Sequence, residues 1–426
     1  MKIILTGFMG AGKTSVGRAL AERLELKFID TDQYILDKTS FKSVREIFEK
    51  KGEKYFRKLE FNAARALADG GADAVIASGG GMINAPGALE ALKKGGGVCF
   101  FLDAPFEILK TRIKNFTTRP LFKNHVSARA LYNARQHIYK GYADHIIHRG
   151  KLDIGGTVQA IIKTLAGAAK KKNVVIGSPV AHSLSPRLHK AGYKALGVEK
   201  IFSFGYKEVT VTELRDFMRH TRKEYNGLSV TMPLKTEIIK YLDALEPAAR
   251  KINAVNTVVN KNGFLTGYNT DYQGVLYALG NVKGKTAVVL GAGGAARAAL
   301  YALKDARQIY LYNRTLRHAR EAAKIFGAEV LDDKNLKLIS RADIIINATS
   351  AGMDGVSRPP GAEYLKAGQT LLEMIYKPNP TPLAALATLK CLTVITGEKM
   401  LLGQALEQFK IFTGLPAPEK AIKEVL

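Results

Sequence analysis

Two glycine-rich turns, each set between an apolar strand pattern and an amphipathic helix pattern, dictate most of what this 426-residue chain can fold into. The first follows the apolar run 2–5 and reads Gly7-Phe8-Met9-Gly10-Ala11-Gly12-Lys13-Thr14. The second follows 287–290 and reads Gly291-Ala292-Gly293-Gly294-Ala295-Ala296. In each, glycines let backbone N–H groups converge on phosphate oxygens at the carboxyl end of a strand, and the helix N-terminus adds its dipole. Such turns work only in front of a parallel sheet. The fold class is therefore α/β, and the length predicts two or three domains.

The first 165 residues alternate short apolar runs with amphipathic stretches, the pattern of a parallel sheet flanked by helices. Strands are expected over 2–5, 27–29, 74–77 and 98–102, and helices over 15–24 and 157–165. The small and charged stretch 168–172 reads as a linker. The apolar run 174–176 then opens a second unit, whose alternation restarts at 286–290, ends near 395 and is followed by a helix over 403–412. This gives a first domain over 1–167, a second over 173–272 completed by 398–426, and a third over 273–397.

The net charge of +26 is spread over both halves, and beyond Lys170-Lys171-Lys172 no tract interleaves basic with aromatic residues. That argues against nucleic acid as a partner. Attraction of small anionic substrates accounts for the charge, and a generally basic surface does so equally well. Two cysteines cannot staple a chain of this size. Cys99 lies in an apolar run and is expected in the core, so the expectation is a reduced, cytoplasmic chain. The first residues read as a buried strand rather than a secretory signal. No apolar stretch spans a bilayer; residues 286–303 come closest but hold glycines and Arg297.

Within the first turn, Lys13 is expected to reach the β- and γ-phosphates of a nucleotide, and Thr14 to offer its hydroxyl to Mg²⁺. This predicts a nucleotide site without naming the acceptor. Asp30-Thr31-Asp32 is expected to end the second strand, with one acid for the hydrated metal and one for an acceptor hydroxyl. Arg57 and Glu60 share a helix face. Gly79-Gly80-Gly81 follows the third strand and lets backbone approach a ligand. Arg119-Pro120-Leu121 stands in a polar stretch, and Arg135 precedes Tyr139 on the next helix. Taken singly, these read as a helix cap, a surface pair and a plain turn.

Together, in this order and spacing, they resemble shikimate kinase across the first 165 residues. The resemblance implies ATP and Mg²⁺ as cofactors, with Gly10, Ala11, Gly12, Lys13, Thr14 and Ser15 on the nucleotide. Asp32 would hold the shikimate 3-hydroxyl as base or positioner. Arg57, Arg135 and the glycines 79–81 would bind shikimate, the arginines gripping its carboxylate. Arg119 matches the lid arginine, Arg112 an arginine near the adenine, and Asp30 a residue serving Mg²⁺ through water. The lid, 120–128, is short.

In the second unit, His182-Ser183-Leu184-Ser185-Pro186 presents two hydroxyls two residues apart, a turn on its own or a holder of a small carboxylate. Thr231 and Lys235, then Asn256, then Asp271 follow at wide intervals; singly, a lysine and an aspartate are surface residues. The strand expected over 308–312 ends in Asn313-Arg314-Thr315. There an NAD enzyme places an acid on the ribose, whereas Arg314 suits the 2′-phosphate of NADP. The whole order resembles shikimate dehydrogenase from about residue 173 onward.

That resemblance implies NADPH/NADP⁺ as cofactor and Lys235 with Asp271 as the catalytic pair. Ser183, Ser185, Thr231, Asn256, Tyr376 and Gln404 would complete the substrate pocket. Two positions depart from the family pattern. Ser229 stands where many members carry Asn, and His318 stands where a second arginine usually falls, with Arg317 one residue early. The rival readings are another small-alcohol kinase for the first site, an NAD-dependent quinate/shikimate dehydrogenase for the second, and a catalytically inactive binding module for either half.

Overall fold

Five consecutive buried residues, Lys-Ile-Ile-Leu-Thr, make strand β1 (Lys2–Thr6), a pattern that suits a strand covered on both faces. It is the middle of a parallel sheet with β2 (Lys27–Asp30), β3 (Ala74–Ala77), β4 (Gly97–Asp103) and β5 (His145–His148), ordered β2-β3-β1-β4-β5. The computed structural model describes residues 1–112, 125–167 and 169–426. The chain divides into a unit over Met1–Ala168 with Ala195–Val198, and a unit over Ala169–Lys194 with Glu199–Leu426.

The four strands expected in the first unit form within a residue of their expected ends. Cys99, on β4, is fully buried, and burial pushes its thiol up to about 12. Strand β5 had no sequence signal. His145-Ile146-Ile147-His148 buries only Ile147, so this edge strand carries no apolar run to read. The helix Lys13–Leu24 follows the first glycine turn, and the helix Ile154–Ala166 is the expected closing one.

The second unit holds two sheets. The first is mixed, built from β6 (Lys171–Gly177), β7 (Phe202–Glu208), β8 (Gly227–Val230), β9 (Ala244–Leu245), β10 (Thr257–Lys261) and β11 (Phe264–Tyr268), in the order β7-β6-β8-β10-β11-β9. Strand β6 starts inside the stretch expected as a linker. Lys171 and Lys172 pair with Phe202 and Ser203, and their ammonium groups lie 5.2 and 4.7 Å from the ring centroids of Phe202 and Tyr225. Cation–π contact with rings far away in sequence makes strand residues of two lysines that read locally as solvated.

The other sheet contains β12 (Thr286–Leu290), β13 (Gln308–Tyr312), β14 (Glu329–Leu331), β15 (Ile344–Asn347), β16 (Thr370–Glu373) and β17 (Thr393–Ile395). All are parallel, in the order β14-β13-β12-β15-β16-β17. This is the doubly wound order, which reverses between β12 and β15 and leaves a crevice at their carboxyl ends. Strand β12 sends Ala287 and Val289 into one core and Val288 and Leu290 into another, so both faces are covered. The final expected helix forms over Gly397–Thr413. Among the described residues no helix is long and apolar enough to cross a membrane.

Candidate active sites

The first site is a cleft of about 960 Å³ in front of the carboxyl ends of β1, β2 and β3, with Lys13, Asp32, Arg57 and Arg135 among the residues on its walls. Lys13 Nζ donates to the carbonyls of Gly7 and Phe8 at 2.8 and 3.2 Å, lying back on the loop that carries it. Thr14 Oγ1 donates to Asp30 Oδ2 at 2.9 Å. Asp30 Oδ1 accepts from the backbone N–H of Asp32 at 3.1 Å. Asp30 alone ends β2, and Asp32 stands in the first turn of the helix Thr31–Asp37, which Asp30 caps. The expectation that all three residues end the strand is corrected to that extent. The cap and the acid beside Thr14 are the same residue.

Arg57 and Glu60 are no surface pair. They are 9 % and 0 % exposed, with Arg57 Nη1 donating to Glu60 Oε2 at 2.6 Å. Arg57 Nη2 also donates to Glu53 Oε1 at 2.6 Å. Burial pushes the Glu60 carboxyl up to about 7 against the pull of the Arg57 guanidinium. Its Oε1 has no hydrogen-bond partner. The glycines after β3 bring these side chains together. A Cβ on Gly79 would strike Asp32 Oδ1, and one on Gly81 would strike the Arg57 guanidinium. The carbonyl of Gly80 accepts from Arg135 Nη1 at 3.1 Å and from Tyr139 OH at 2.7 Å. Asp32, Arg57, Gly79, Gly80, Gly81 and Arg135 therefore meet in one place.

Gly10, Gly12, Lys13, Thr14, Ser15 and Arg112 line the same cleft, with Arg112 Nη1 3.4 Å from the Gly10 carbonyl, while Ala11 is buried beneath the loop. Arg119 lies outside the described residues. No sequence signal points to Arg149, which is 3 % exposed and reaches the underside of the loop. It donates through Nη1 to the carbonyl of Ala11 and through Nε to Thr157 Oγ1 at 3.0 Å.

The second site forms in the other unit. Thr231 follows β8 and donates its N–H to the Ile176 carbonyl of β6, so the Thr231–Lys235 turn and the loop bearing Ser183 leave the same end of neighbouring parallel strands. Ser183 Oγ accepts from the Ser185 N–H at 3.3 Å. Lys235 Nζ donates to Asp271 Oδ2 at 2.6 Å, and Asp271 is nearly buried at the start of the helix Asp271–Leu279. Asn256 Nδ2 donates to Asp271 Oδ1 at 2.9 Å and lies 3.3 Å from Gln404 Oε1. The structure thus gathers Lys235, Asp271, Asn256 and Gln404 into one hydrogen-bonded group. Tyr376 stands beyond β16, with burial raising its phenol above the usual range.

The dinucleotide turn opens directly onto this group. Gly291 takes φ 107°, and a Cβ there would meet the Ala348 carbonyl beyond β15 at 2.9 Å, so this position admits no side chain. A Cβ on Gly294 would lie 3.7 Å from Lys235 Cδ, which puts the lysine stem against the first turn of the helix Gly294–Ala302. Ala292, Gly293, Ala295 and Ala296 complete that turn, with Ala296 fully buried. At the end of the adjacent β13, Asn313 Nδ2 donates to the Thr315 carbonyl at 2.9 Å, while Arg314 and Thr315 are exposed. Arg317 Nε is engaged by Glu321 at 2.9 Å, and His318 is exposed beside it.

Comparison with known proteins agrees with both halves. Residues 9–166 match the shikimate kinase family. Residues 175–258 match the shikimate dehydrogenase substrate binding domain, 275–368 the shikimate / quinate 5-dehydrogenase family, and 397–426 the shikimate 5'-dehydrogenase C-terminal domain. The shikimate dehydrogenase (NADP(+)) of Ignicoccus hospitalis is 38% identical over 243 residues, covering 56% of this chain and 92% of that protein. That of Streptococcus sanguinis is 36% identical over 274 residues, covering 59% and 94%. Among solved structures, the shikimate 5-dehydrogenase of Thermus thermophilus, in complex with NADP(H) and shikimate, superposes with a TM-score of 0.56 at 35% identity. It covers 60% of this chain and 98% of that one. The chain belongs to the shikimate dehydrogenase family and carries a shikimate kinase domain ahead of its dehydrogenase domains.

Proposed function

We propose that this protein catalyses two consecutive reactions, reducing 3-dehydroshikimate to shikimate with NADPH and phosphorylating the shikimate 3-hydroxyl with ATP. Residues 1–167 serve as the kinase, 173–272 with 398–426 bind the dehydrogenase substrate, and 273–397 bind NADP(H). The observation that carries the reading is the Lys235–Asp271 pair set against the dinucleotide turn, with the Lys235 stem beside Gly294. NADPH, when bound, supplies the hydride. Lys235 gives a proton to the ketone oxygen, and Asp271 holds the ammonium in place for that transfer. Ser183 and Ser185 hold the substrate carboxylate, and Thr231, Asn256, Tyr376 and Gln404 orient its ring. Arg314 faces the 2′-phosphate, with Asn313 and Thr315 shaping its turn.

In the kinase half, Arg57 and Arg135 grip the shikimate carboxylate through their planar forks. Asp32 positions the 3-hydroxyl and accepts its proton, and Lys13 turns from its loop carbonyls to the transferred phosphate. Thr14 and Asp30 suit Mg²⁺, a cation that takes one or two protein oxygens and fills its shell with water and phosphate. Arg112 would flank the adenine, and Arg119 would serve as a further phosphate ligand.

The test is incubation of the protein with 3-dehydroshikimate, NADPH and ATP–Mg²⁺. Shikimate 3-phosphate is expected, with NADPH consumed and ADP released in equal amounts. Consumption of NADPH with accumulation of unphosphorylated shikimate would overturn the two-step reading.

A further inference from the structure

Behind the Lys235–Asp271 pair runs a buried line of polar side chains to which no role is yet given. Gln408 is fully buried, and its Nε2 stands 3.2 Å from the backbone carbonyl of Asn256 and 2.8 Å from Thr257 Oγ1. A carbonyl only accepts, so the amide nitrogen of Gln408 faces it and Oε1 faces the other way, towards His189 Nε2 at 3.1 Å. His189 therefore carries its proton on Nε2, and the ring, fully buried and stacked on Phe204 at 4.3 Å, stays neutral. Burial holds its pKa down at about 3.

Thr257, accepting from Gln408, turns its own hydrogen to Asn256 Oδ1 at 2.9 Å. That oxygen also accepts the Thr270 backbone N–H at 2.7 Å, which fixes the Asn256 amide and leaves its Nδ2 to donate to Asp271 Oδ1. Every hydrogen in the line points one way, from His189 through Gln408, Thr257 and Asn256 to the carboxylate that holds Lys235. Aligned donors polarise one another and, in a buried setting, lock the last acceptor's orientation.

We infer that Thr257 and Gln408, backed by His189, are positioning residues of the dehydrogenase, holding Asp271 through Asn256 so that Lys235 is aimed at the substrate. The inference rests on Lys235 and Asp271 being the catalytic pair. The experiment is a double-mutant cycle on the full chain, reading NADPH-dependent reduction of 3-dehydroshikimate. Thr257→Val removes the hydroxyl at nearly constant volume. It is expected to lower kcat about tenfold, with KM changed less than about twofold, an effect within the range of coupled neighbours. Thr257→Ser restores the rate, and in an Asp271→Asn background Thr257→Val costs nothing further.

Gln408→Met, run through the same cycle, keeps the test decisive where Thr257→Val does not fold. Four results would overturn the inference: wild-type kcat in a folded Thr257→Val protein, a loss confined to KM, a Ser variant as impaired as Val, or full multiplicative loss beside Asp271→Asn. Undiminished activity of Lys235→Ala would instead overturn the assignment of the pair itself.

Discussion

Lys235 Nζ lies 2.6 Å from Asp271 Oδ2 although the two residues stand 36 positions apart, and Asn256 holds the other carboxylate oxygen. An ammonium fixed on one side can present its remaining hydrogens in only a narrow arc, and the stem that carries it lies against the dinucleotide turn. Lys235→Ala is expected to lower 3-dehydroshikimate reduction by roughly 10²–10⁴-fold, the usual worth of a positioned acid. Phosphorylation of supplied shikimate should stay near its starting rate. Asp32→Asn should do the reverse. NADPH oxidation and ADP release, followed on the same preparations, check both; a folded variant that lost both activities would contradict independent sites.

The exposed Arg314 at the end of β13 predicts preference for NADPH over NADH. Arg317 is engaged by Glu321, so the neighbouring arginine does not substitute for it in this arrangement. Arg314→Ala should raise the KM for NADPH and leave kcat nearly unchanged, because a contact at the 2′-phosphate is made equally in ground and transition states. Comparing kcat/KM for the two cofactors is the measurement. Equal efficiency in the unmodified enzyme would show that the place of His318 has already cost the site its phosphate grip.

Glu60 gives the kinase half a pH dependence of defined sign. Its carboxyl is raised from 4.5 to about 7 in the fold, so between those values the folded state holds a proton that the unfolded chain has released. The stabilisation is fully present below 4.5 and is lost as pH rises through about 7. At about 1.4 kcal/mol per unit, the change across that window is roughly 3 kcal/mol. Melting of the kinase half from pH 5 to pH 8 should therefore fall more in the wild type than in Glu60→Gln. Parallel pH curves for the two proteins would remove Glu60 as the cause.

Both glycine turns were legible because a backbone that must approach a phosphate writes its need directly into sequence as glycine after a strand. The partners Lys235 and Asp271 were legible only through family resemblance, since nothing local distinguishes a catalytic lysine in a chain with 64 lysines and arginines. The same abundance hid Lys171 and Lys172, whose strand identity depends on rings at Phe202 and Tyr225. Asp30-Thr31-Asp32 read as a strand end because alternation cannot locate a cap to within two residues, and the cap belongs to Asp30. Gln408 lies one turn beyond Gln404 on the same helix, and only tertiary packing shows that it faces Thr257 rather than solvent.

Arg149 escaped for the same reason and yields the last prediction. Its guanidinium is buried, donates to the Ala11 carbonyl beneath the phosphate loop and to Thr157 Oγ1, and occupies the space that a Cβ on Gly12 would need. Burial, followed by repulsion from Arg112, lowers its pKa from the usual arginine value, so the position is costly and is kept by its hydrogen bonds. Arg149→Met keeps the apolar stem but leaves a buried carbonyl and hydroxyl short of a donor, at a cost of about 1–3 kcal/mol to the kinase half. The loop that must cradle phosphate then loses its support from below. The KM for ATP should rise about tenfold if that loss falls mainly on nucleotide binding. The KM for shikimate and the reduction of 3-dehydroshikimate should not change. Arg149→Lys should not rescue, because a single ammonium cannot serve two acceptors set on opposite sides of a planar fork. Steady-state kinetics with ATP varied at saturating shikimate decides the matter, and an unchanged KM for ATP in a folded Arg149→Met protein would show that the loop holds its shape without this residue.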